Sequence, residues 1–534
     1  MKDSCFEKFG VMIDNSRNAV MNVRTVKKYV DILKKLDADF LMLYTEETYE
    51  VNNQPYFGHH RGRFSKAELK ELDAYAREQQ IELMPCIQTL AHFNALMRWP
   101  VYAAMADCGD ILCAGDERVY ALVDDIFATL AECFTSRTCN IGMDEAEFIG
   151  MGRYFKEHGP VNRMDILVDH LKRVAAIADK YGFRLVMWGD MFYKLTGETE
   201  DKATFDKELA DKIPHNVNLI YWDYYSTEQA HYDSRIENYR KLQDDVWFAG
   251  GLWNWTGFTA HNSYSLKTSL AAMKSAIDHK VKNAFVTVWG DNGGESSRFA
   301  VLPALYAAKR YSEGVFDMDV IRKGFLDTFG IDFDDFMLAE LTDTPSTDDA
   351  SIYNPEKYLL YNDPLMGNMD SLIRGDEGER YAACAVKLAK MAANGEFGPM
   401  FNSCMKLCRA LEVKSTLGVR TRELYLKGDK AGLKGIIADY DEAIARIKEF
   451  YEAFEAQWMW ENKPHGFDVH DIRIGGLLMR MEHAKARILK YAEGAVESIP
   501  ELEEAVLDPF CSKEHGQNPV CFNSWGMIAT CNVL

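Results

Sequence analysis

The chain has 534 residues, of which 47% are hydrophobic and 27% are charged, and its formal net charge is −21 at pH 7. This length favours two or three domains with an ample core. The acidity argues against nucleic acid and anionic membranes as partners, because both select basic surfaces.

The chain carries no targeting or cofactor signal. The first eight residues contain no apolar run, so we expect no signal peptide, and no stretch of about 18 apolar residues predicts a membrane span. The twelve cysteines include no Cys-x-x-Cys pair, which favours buried reduced thiols over disulfides or structural zinc. We therefore predict a cytoplasmic protein that needs neither a metal nor an organic cofactor.

Apolar strand-like runs alternate with amphipathic helical stretches over the first 300 residues. The predicted strands are 10–14, 39–45, 81–88, 138–142, 184–188, 217–223, 247–252 and 283–289. Helical spacing of apolar residues predicts helices over 24–36, 66–80, 119–133, 163–181 and 266–280. Eight βα units predict an α/β fold, a (β/α)8 barrel at 1–330, with an open doubly wound sheet as the alternative.

The second half of the chain changes character. An acidic, turn-rich passage at 342–354 lies in a stretch, 331–378, that reads as a linker and surface excursion. From 379 to 534 we predict an α-helical C-terminal domain, since long stretches such as 430–460 carry apolar residues at helical spacing. The last segment, 507–534, has no assignable pattern.

Two adjacent carboxylates, Asp144 and Glu145, follow the fourth predicted strand. Active sites of (β/α)8 barrels lie at the carboxyl ends of the strands. The other three Asp-Glu pairs of the chain lie in polar or helical surroundings, where a solvated face explains them. Carboxyls forced together at a strand exit tend to have pKa values pushed apart, which suits the acid-base chemistry of a glycoside hydrolase.

Tryptophans also gather at the strand exits, with six of the ten lying between residues 188 and 289. Aromatic rings cover the apolar face of a pyranose, and neighbouring charged groups bind its hydroxyls. Single tryptophans could simply cap the barrel core. Together with the carboxylates they favour a sugar-binding pocket.

The segment 141–145, its continuation through Tyr154, and the stretch 177–188 with Met187-Trp188 resemble glycoside hydrolase family 20. The resemblance covers roughly residues 10–310 and is greatest to the short, signal-less bacterial branch of β-N-acetylhexosaminidases. It implies that the enzyme supplies no nucleophile: the 2-acetamido group of the substrate attacks the anomeric carbon, with overall retention.

The resemblance also implies roles for individual residues. Glu145 would be the general acid and base, and Asp144 would stay ionised and orient the acetamide. Tyr225 would polarise the acetamide carbonyl, with Tyr221 as the other candidate. The implied substrate-binding residues are Arg17, His92, Trp188, Tyr221, Asp223, Trp253, Trp255, Trp289 and Asp291. Of these, His92 would support the Asp-Glu pair, and Asp291 stands where the family more often has Glu.

The chain departs from the family pattern around the carboxylate pair. Asn140 stands where His is common, and Met143 replaces a frequent Gly. Glu147 adds a third carboxylate where the near branch tends to have His. It could act on Glu145 or simply point into solvent.

Three functional readings compete. The first is an exo-β-N-acetylhexosaminidase acting on small oligosaccharides or glycoconjugates. The second is a conventional retaining glycosidase, with Glu145 as acid and a carboxylate such as Asp291 as nucleophile. The third is a catalytically silent sugar-binding protein, which would need the aromatic walls but not the acid. By analogy with the near branch, we expect a homodimer in which the helical C-terminal domain takes part.

Overall fold

The computed structural model describes residues 4–200, 202–205, 207–343, 354–393, 395–509, 511 and 524–533. The strands are β1 Lys8–Asp14, β2 Phe40–Tyr44, β3 Glu82–Cys86, β4 Ala106–Cys108, β5 Ile111–Leu112, β6 Thr138–Asn140, β7 Arg184–Trp188, β8 Val217–Trp222, β9 Trp247–Gly251 and β10 Asn283–Val288. Eight of them are parallel and form a closed barrel in the order β1-β10-β9-β8-β7-β6-β3-β2, which confirms the predicted fold. The short strands β4 and β5 form a separate antiparallel pair.

The helices follow the predicted pattern, with several additional short ones. They are α1 Val23–Lys35, α2 Lys66–Glu78, α3 Pro100–Ala103, α4 Glu117–Cys133, α5 Arg153–His158, α6 Arg163–Lys180, α7 Asp190–Lys194, α8 Lys207–Lys212, α9 Gln229–Tyr239, α10 Asn262–Asp278, α11 Leu302–Tyr311, α12 Met318–Phe329, α13 Phe333–Met337, α14 Pro355–Tyr361, α15 Glu377–Ala393, α16 Gly398–Lys414, α17 Leu417–Leu426, α18 Lys430–Gly435, α19 Ile437–Glu461, α20 Asp468–Ala492 and α21 Trp525–Ala529. Polar caps begin several of them. Ser65 and Glu68, for example, form a reciprocal capping box at α2.

The barrel strands are buried on both faces because helices cover the outside and side chains fill the inside. The interior cluster includes Met42, Tyr44, Trp188 and Phe285, with Trp222 and Trp289 packed against it. Alternation along each strand therefore fixes which side chains reach the mouth of the barrel and which face the helices.

The chain forms two compact units. The first comprises 1–252, 263–289 and 304–328, and the second comprises 253–262, 290–303 and 329–534. The chain segments that follow β9 and β10 thus belong to the second unit. Over 331–378, where the sequence suggests a linker, the described residues form short helices, and α14 is buried throughout. Most of the acidic passage 342–354 and half of the segment 507–534 lie outside the described residues.

None of the helices in the described part of the chain is both long and apolar enough to cross a membrane. Nor do the described residues hold three or more His, Cys, Asp or Glu side chains arranged for a metal ion. The described cysteines form no disulfide, and most of them are buried.

Candidate active site

The chain leaves β6 through a strained turn that presents the carboxylate pair. Gly142, Met143 and Glu145 all have left-handed backbones, with φ of 71°, 69° and 53°. A Cβ on Gly142 would lie 2.0 Å from Oε1 of Gln88, so only glycine fits there. Left-handed non-glycine residues are uncommon and gather where function over-determines the backbone.

Asp144 is buried at the end of this turn, and two side chains donate hydrogen bonds to it. Gln88 Nε2 lies 2.8 Å from Oδ1, and His92 Nε2 lies 3.1 Å from Oδ2. Burial by itself would raise the pKa of Asp144, but the charge of His92 and these hydrogen bonds outweigh it and lower that pKa. Asp144 is therefore an ionised carboxylate in a largely dry position.

His92 follows β3 and also has a left-handed backbone, with φ of 61°. Burial opposes its protonation, but the neighbouring Asp144 carboxylate raises the pKa of His92 to about 9. At neutral pH the pair is thus an imidazolium with a carboxylate. This places His92 beside the Asp-Glu pair, where the sequence analysis expected it.

Glu145 differs from its neighbour because 48% of its side chain is exposed. Its backbone N–H donates to Asp190 Oδ2 over 3.1 Å. Lys194 Nζ lies 3.6 Å from its Oε1, and His92 Nε2 lies 3.7 Å from its Oε2. The carboxyl can therefore reach solvent while a cation stands near each oxygen.

Asp190, the first residue of α7, accepts the backbone hydrogen bond of this turn. It is buried, and burial together with the charge of Asp144 raises the pKa of Asp190 to about 6. Its Oδ1 accepts a 3.4 Å hydrogen bond from Trp222 Nε1. Lys194, at the other end of α7, lies 3.3 Å from Asp190 and 2.7 Å from Glu147. Glu147 is thus paired with a lysine.

Arg17 lies beside two aromatic rings at the mouth of the barrel, Tyr44 and Trp289, whose centres are 4.8 Å apart. Its guanidinium carbon is 5.1 Å from the centre of the Tyr44 ring and 5.2 Å from that of Trp289. Its Nη1 lies 3.3 Å from Asp14 Oδ2, and its Nε lies 3.4 Å from Glu46 Oε1. Planar stacking and paired carboxylates are the contacts that arginine makes better than lysine.

Trp188 and Trp289 form an aromatic pair in the same region, with ring centres 6.1 Å apart. Trp188 is fully buried, and Trp289 packs partly buried against the barrel core. The buried Nε1 of each ring has no hydrogen-bond partner among the described residues. The structure therefore brings Arg17, Trp188, Trp289, His92 and the carboxylate pair into the barrel of the first unit.

Tyr221 does not face this pocket, which corrects the prediction that it binds substrate. Its ring packs on Tyr239 of α9, and its hydroxyl donates to Asp223 Oδ2 over 3.1 Å. Strand alternation explains the error, because Trp222 faces the barrel interior and its neighbour Tyr221 must face the helices. Asp223 is likewise engaged outside the barrel, since its Oδ2 lies 2.6 Å from His231 Nε2.

Tyr225 lies beyond the end of β8, with 53% of its surface exposed. Its N–H donates to Asp223, and its carbonyl accepts a hydrogen bond from the hydroxyl of Tyr264. Tyr224 is buried and stacks on Trp222, with ring centres 5.5 Å apart. The structure thus offers both tyrosines as candidates for the role that the sequence analysis gave to Tyr225.

Trp253, Trp255 and Asp291 belong to the second compact unit. There Trp253 and Trp255 are buried and in contact, with ring centres 4.7 Å apart. Asp291 has a left-handed backbone. Their assignment to substrate stays a prediction.

Two sequence models describe the chain. The model of the glycosyl hydrolase family 20 catalytic domain matches residues 6–235, and that of the Glycoside Hydrolase 20C C-terminal domain matches residues 334–521. The chain belongs to glycoside hydrolase family 20. It is therefore an enzyme of the glycoside hydrolase class, as the carboxylate pair at the barrel exit predicted.

Known relatives of this family-20 enzyme are distant. Hexosaminidase D of Bos taurus is 23% identical over 267 residues, which is 47% of this chain and 70% of the relative. Hexosaminidase D of Homo sapiens is 21% identical over 40% of this chain and 44% of its own length. Among solved structures, a Bacteroides fragilis β-N-acetylhexosaminidase is 18% identical, covers 60% of this chain and 69% of its own, and has a TM-score of 0.46. The Flavobacterium johnsoniae chitobiase is 14% identical, covers 82% and 75%, and has a TM-score of 0.48.

Sequence reasoning gave no role to several residues that lie around the carboxylate pair and Arg17. Tyr44 ends β2, and Glu46 and Gln88 each lie two residues beyond β2 and β3; this position at the strand exits was the signal that could have found them. Trp222 could have been found by counting alternate residues along β8. The part played by Lys194 depends on the turn that α7 makes after β7, which no sequence pattern indicated.

Proposed function

We propose that this enzyme is an exo-β-N-acetylhexosaminidase that removes terminal non-reducing β-linked N-acetylglucosamine or N-acetylgalactosamine. The observation that carries the proposal is the unequal setting of two adjacent carboxyls. Asp144 is buried and ionised between Gln88 and His92, whereas Glu145 is half exposed. A fixed buried charge suits the orientation of a substrate, and an accessible carboxyl suits proton exchange. The names of the bovine and human relatives support this substrate class.

In the proposed reaction the acetamide oxygen of the substrate attacks the anomeric carbon as the glycosidic bond breaks. Glu145 gives its proton to the leaving oxygen, and the ring closes to an oxazolinium ion. Asp144 accepts a hydrogen bond from the acetamide N–H and offsets the positive charge that develops. Water then attacks the anomeric carbon, Glu145 takes a proton from it, and the acetamide is restored with retention. The intramolecular attack gains from proximity.

The remaining pocket residues bind the sugar in this proposal. Arg17 bonds to sugar hydroxyls from its place beside Tyr44 and Trp289. Trp289, which is only partly buried, offers flat apolar surface to the sugar and its acetamide methyl, and the buried Trp188 packs behind it. Tyr224 or Tyr225 polarises the acetamide carbonyl.

We further propose that the chain falls in the short, signal-less bacterial branch of family 20. The match of residues 334–521 to the Glycoside Hydrolase 20C C-terminal domain supports a branch with this helical region. A cytoplasmic location and a homodimer belong to the same proposal. Sedimentation velocity of the whole chain tests the dimer, and a monomer at all concentrations rejects it.

Hydrolysis of nitrophenyl β-N-acetylglucosaminide beside the matching β-glucoside tests the reaction. We expect cleavage of the acetamido sugar alone, and inhibition by a thiazoline that mimics the oxazoline. Equal cleavage of both sugars would favour a conventional glycosidase. Cleavage of neither, with binding of N-acetylglucosamine retained, would favour a sugar-binding protein. Glu145→Gln should lower turnover by about 10²- to 10⁴-fold while the protein stays folded.

A further inference from the structure

Helix α7 carries two charged residues that both reach the turn of Glu145. Asp190 accepts the backbone N–H of Glu145 over 3.1 Å and lies 3.3 Å from Lys194 Nζ, one helical turn later. Lys194 Nζ also lies 2.7 Å from Glu147 Oε1 and 3.6 Å from Glu145 Oε1. The same helix thus contacts both the backbone and the carboxyl of Glu145.

The two distances from Lys194 differ in kind. The 2.7 Å contact with Glu147 is a close ion pair, whereas 3.6 Å is too long for a hydrogen bond to Glu145. The Lys194 ammonium is therefore close enough to attract the Glu145 carboxyl, but its closest ion pair is with Glu147. Three carboxylates share this lysine, and they hold the pKa of Lys194 well above its usual range although burial opposes this.

The groups that face the Glu145 carboxyl come from several elements. Lys194 approaches one oxygen, and His92, from the segment after β3, approaches the other at 3.7 Å. Asp144 and Glu147 flank it along the chain, and Asp190 lies beneath its backbone. The carboxyl is thus guided by two cations while neither is hydrogen-bonded to it.

We propose that Lys194 is a positioning residue for Glu145, and that Glu147 and Asp190 hold Lys194 at its working distance. This inference rests on the proposed role of Glu145 as acid and base. An ammonium at 3.6 Å aims the carboxyl without occupying its proton site. If Glu147 lost its charge, Lys194 would turn to bond Glu145 directly and draw its carboxyl away from the leaving oxygen. Glu147, the extra carboxylate that departs from the family pattern, thereby keeps Glu145 able to act as an acid.

Leaving groups of different acidity test the proposal. A dinitrophenolate departs without a proton, whereas the alcohol of a disaccharide needs one. Lys194→Met and Glu147→Gln should therefore lose about tenfold or more in kcat/KM on N,N′-diacetylchitobiose and less than about twofold on dinitrophenyl N-acetylglucosaminide. Lys180→Met removes an exposed lysine that pairs with Asp124 on α4, and it serves as the matched control. Equal losses on both substrates would show a purely structural role and overturn the inference.

A second measurement needs no activity. Reductive ¹³C-methylation labels the lysines of the whole chain, and the signal missing from Lys194→Met identifies Lys194. That signal should shift in Glu145→Gln and in Glu147→Gln, but not in Glu132→Gln, which alters a remote pair with Lys70. If the chemical shift of the Lys194 signal is unchanged in Glu145→Gln, the inference is overturned even if the enzyme is active. A shift without cleavage of either glycoside would instead reject the proposed function and keep the contact.

Discussion

His92 Nε2 lies 3.1 Å from Oδ2 of Asp144, and the two side chains form a buried ion pair at the mouth of the barrel. Each partner fixes the charge of the other. The carboxylate raises the pKa of His92 to about 9 against the effect of burial, and His92 helps to lower the pKa of Asp144. The pair keeps Asp144 negative where the proposed intermediate becomes positive.

The first prediction concerns the pH dependence of stability and rate. Because the folded pKa of His92 lies above the unfolded value of about 6.5, its contribution is complete below pH 6.5 and is lost as pH rises through about 9. A shift of this size corresponds to about 3 kcal/mol. His92→Gln should therefore lower the free energy of unfolding at pH 6 much more than at pH 10, as measured by urea denaturation.

The same titration should appear in the kinetics. We expect kcat/KM of the wild type to fall on the alkaline side with a midpoint near pH 9, and His92→Gln to lack that limb. A mutant that keeps the limb would assign it to another group. A destabilisation independent of pH would show that His92 acts through packing alone.

The second prediction concerns Gln88, which was not expected from the sequence. Its amide donates to Asp144 Oδ1 and to the Tyr44 hydroxyl, and its Oε1 accepts the N–H of Met143. Gln88→Met keeps the volume of the side chain but removes a hydrogen bond to the buried Asp144 carboxylate. A hydrogen bond to a charged group contributes about 1.5–3 kcal/mol of free energy. We expect kcat/KM to fall roughly 10- to 100-fold.

Gln229→Met is the matched control for that experiment. Gln229 also donates an amide hydrogen bond to a carboxylate, that of Asp278, but this pair is exposed and remote from the turn 141–145 that carries Asp144 and Glu145. Its kinetics should equal those of the wild type. If both variants lose activity alike, the effect does not arise from Asp144.

The barrel was predictable from sequence because each strand is a buried apolar run with its own helix. All eight predicted barrel strands occur, most within one or two residues of the expected bounds. The turn 141–145 was also visible, since an Asp-Glu pair after a buried run stands out from polar surroundings. What the sequence could not supply was the direction of each side chain.

Tyr221 shows the physical reason for that limit. Successive side chains of a strand point to opposite faces. When five polar or aromatic residues follow one another at a strand end, an error of one residue in the register therefore assigns each side chain to the wrong face. The interior position of Trp222 fixes Tyr221 on the helix side. The position of Lys194 beside Glu145 could not be predicted either, because its ion-pair partners come together only when α7 folds against the turn that holds Glu145.

The third prediction separates the tyrosines of β8 and the residues beyond it. Tyr221→Phe should lose about 1 kcal/mol of stability with its hydrogen bond to Asp223, but leave kcat unchanged. Tyr224→Phe or Tyr225→Phe, whichever removes the hydroxyl that polarises the acetamide, should lower kcat by about 10²-fold or more. Steady-state kinetics and thermal unfolding of the three variants check this. Loss of kcat in Tyr221→Phe would contradict its outward orientation.

The fourth prediction concerns Arg17. Its guanidinium lies over both Tyr44 and Trp289 and reaches Asp14 and Glu46, contacts that the compact ammonium of lysine cannot reproduce together. Burial raises the pKa of Glu46 to about 7, and Arg17 offsets part of that rise. Arg17→Lys should raise KM about tenfold or more, with a smaller change in kcat, because these contacts orient a guanidinium that we propose binds the sugar hydroxyls rather than the reacting atoms.

A matched control for Arg17→Lys exists on α6. Arg173 also pairs with a carboxylate, Glu117, and its guanidinium lies over a tyrosine ring, that of Tyr120, at 3.4 Å. Arg173→Lys therefore removes the same kinds of contact away from the turn 141–145, and the KM of this variant should match that of the wild type. A rise in KM shared by both variants would mean that loss of stacking loosens the barrel as a whole. A rise confined to Arg17→Lys, with unfolding temperatures equal in the two variants, would place Arg17 on the substrate.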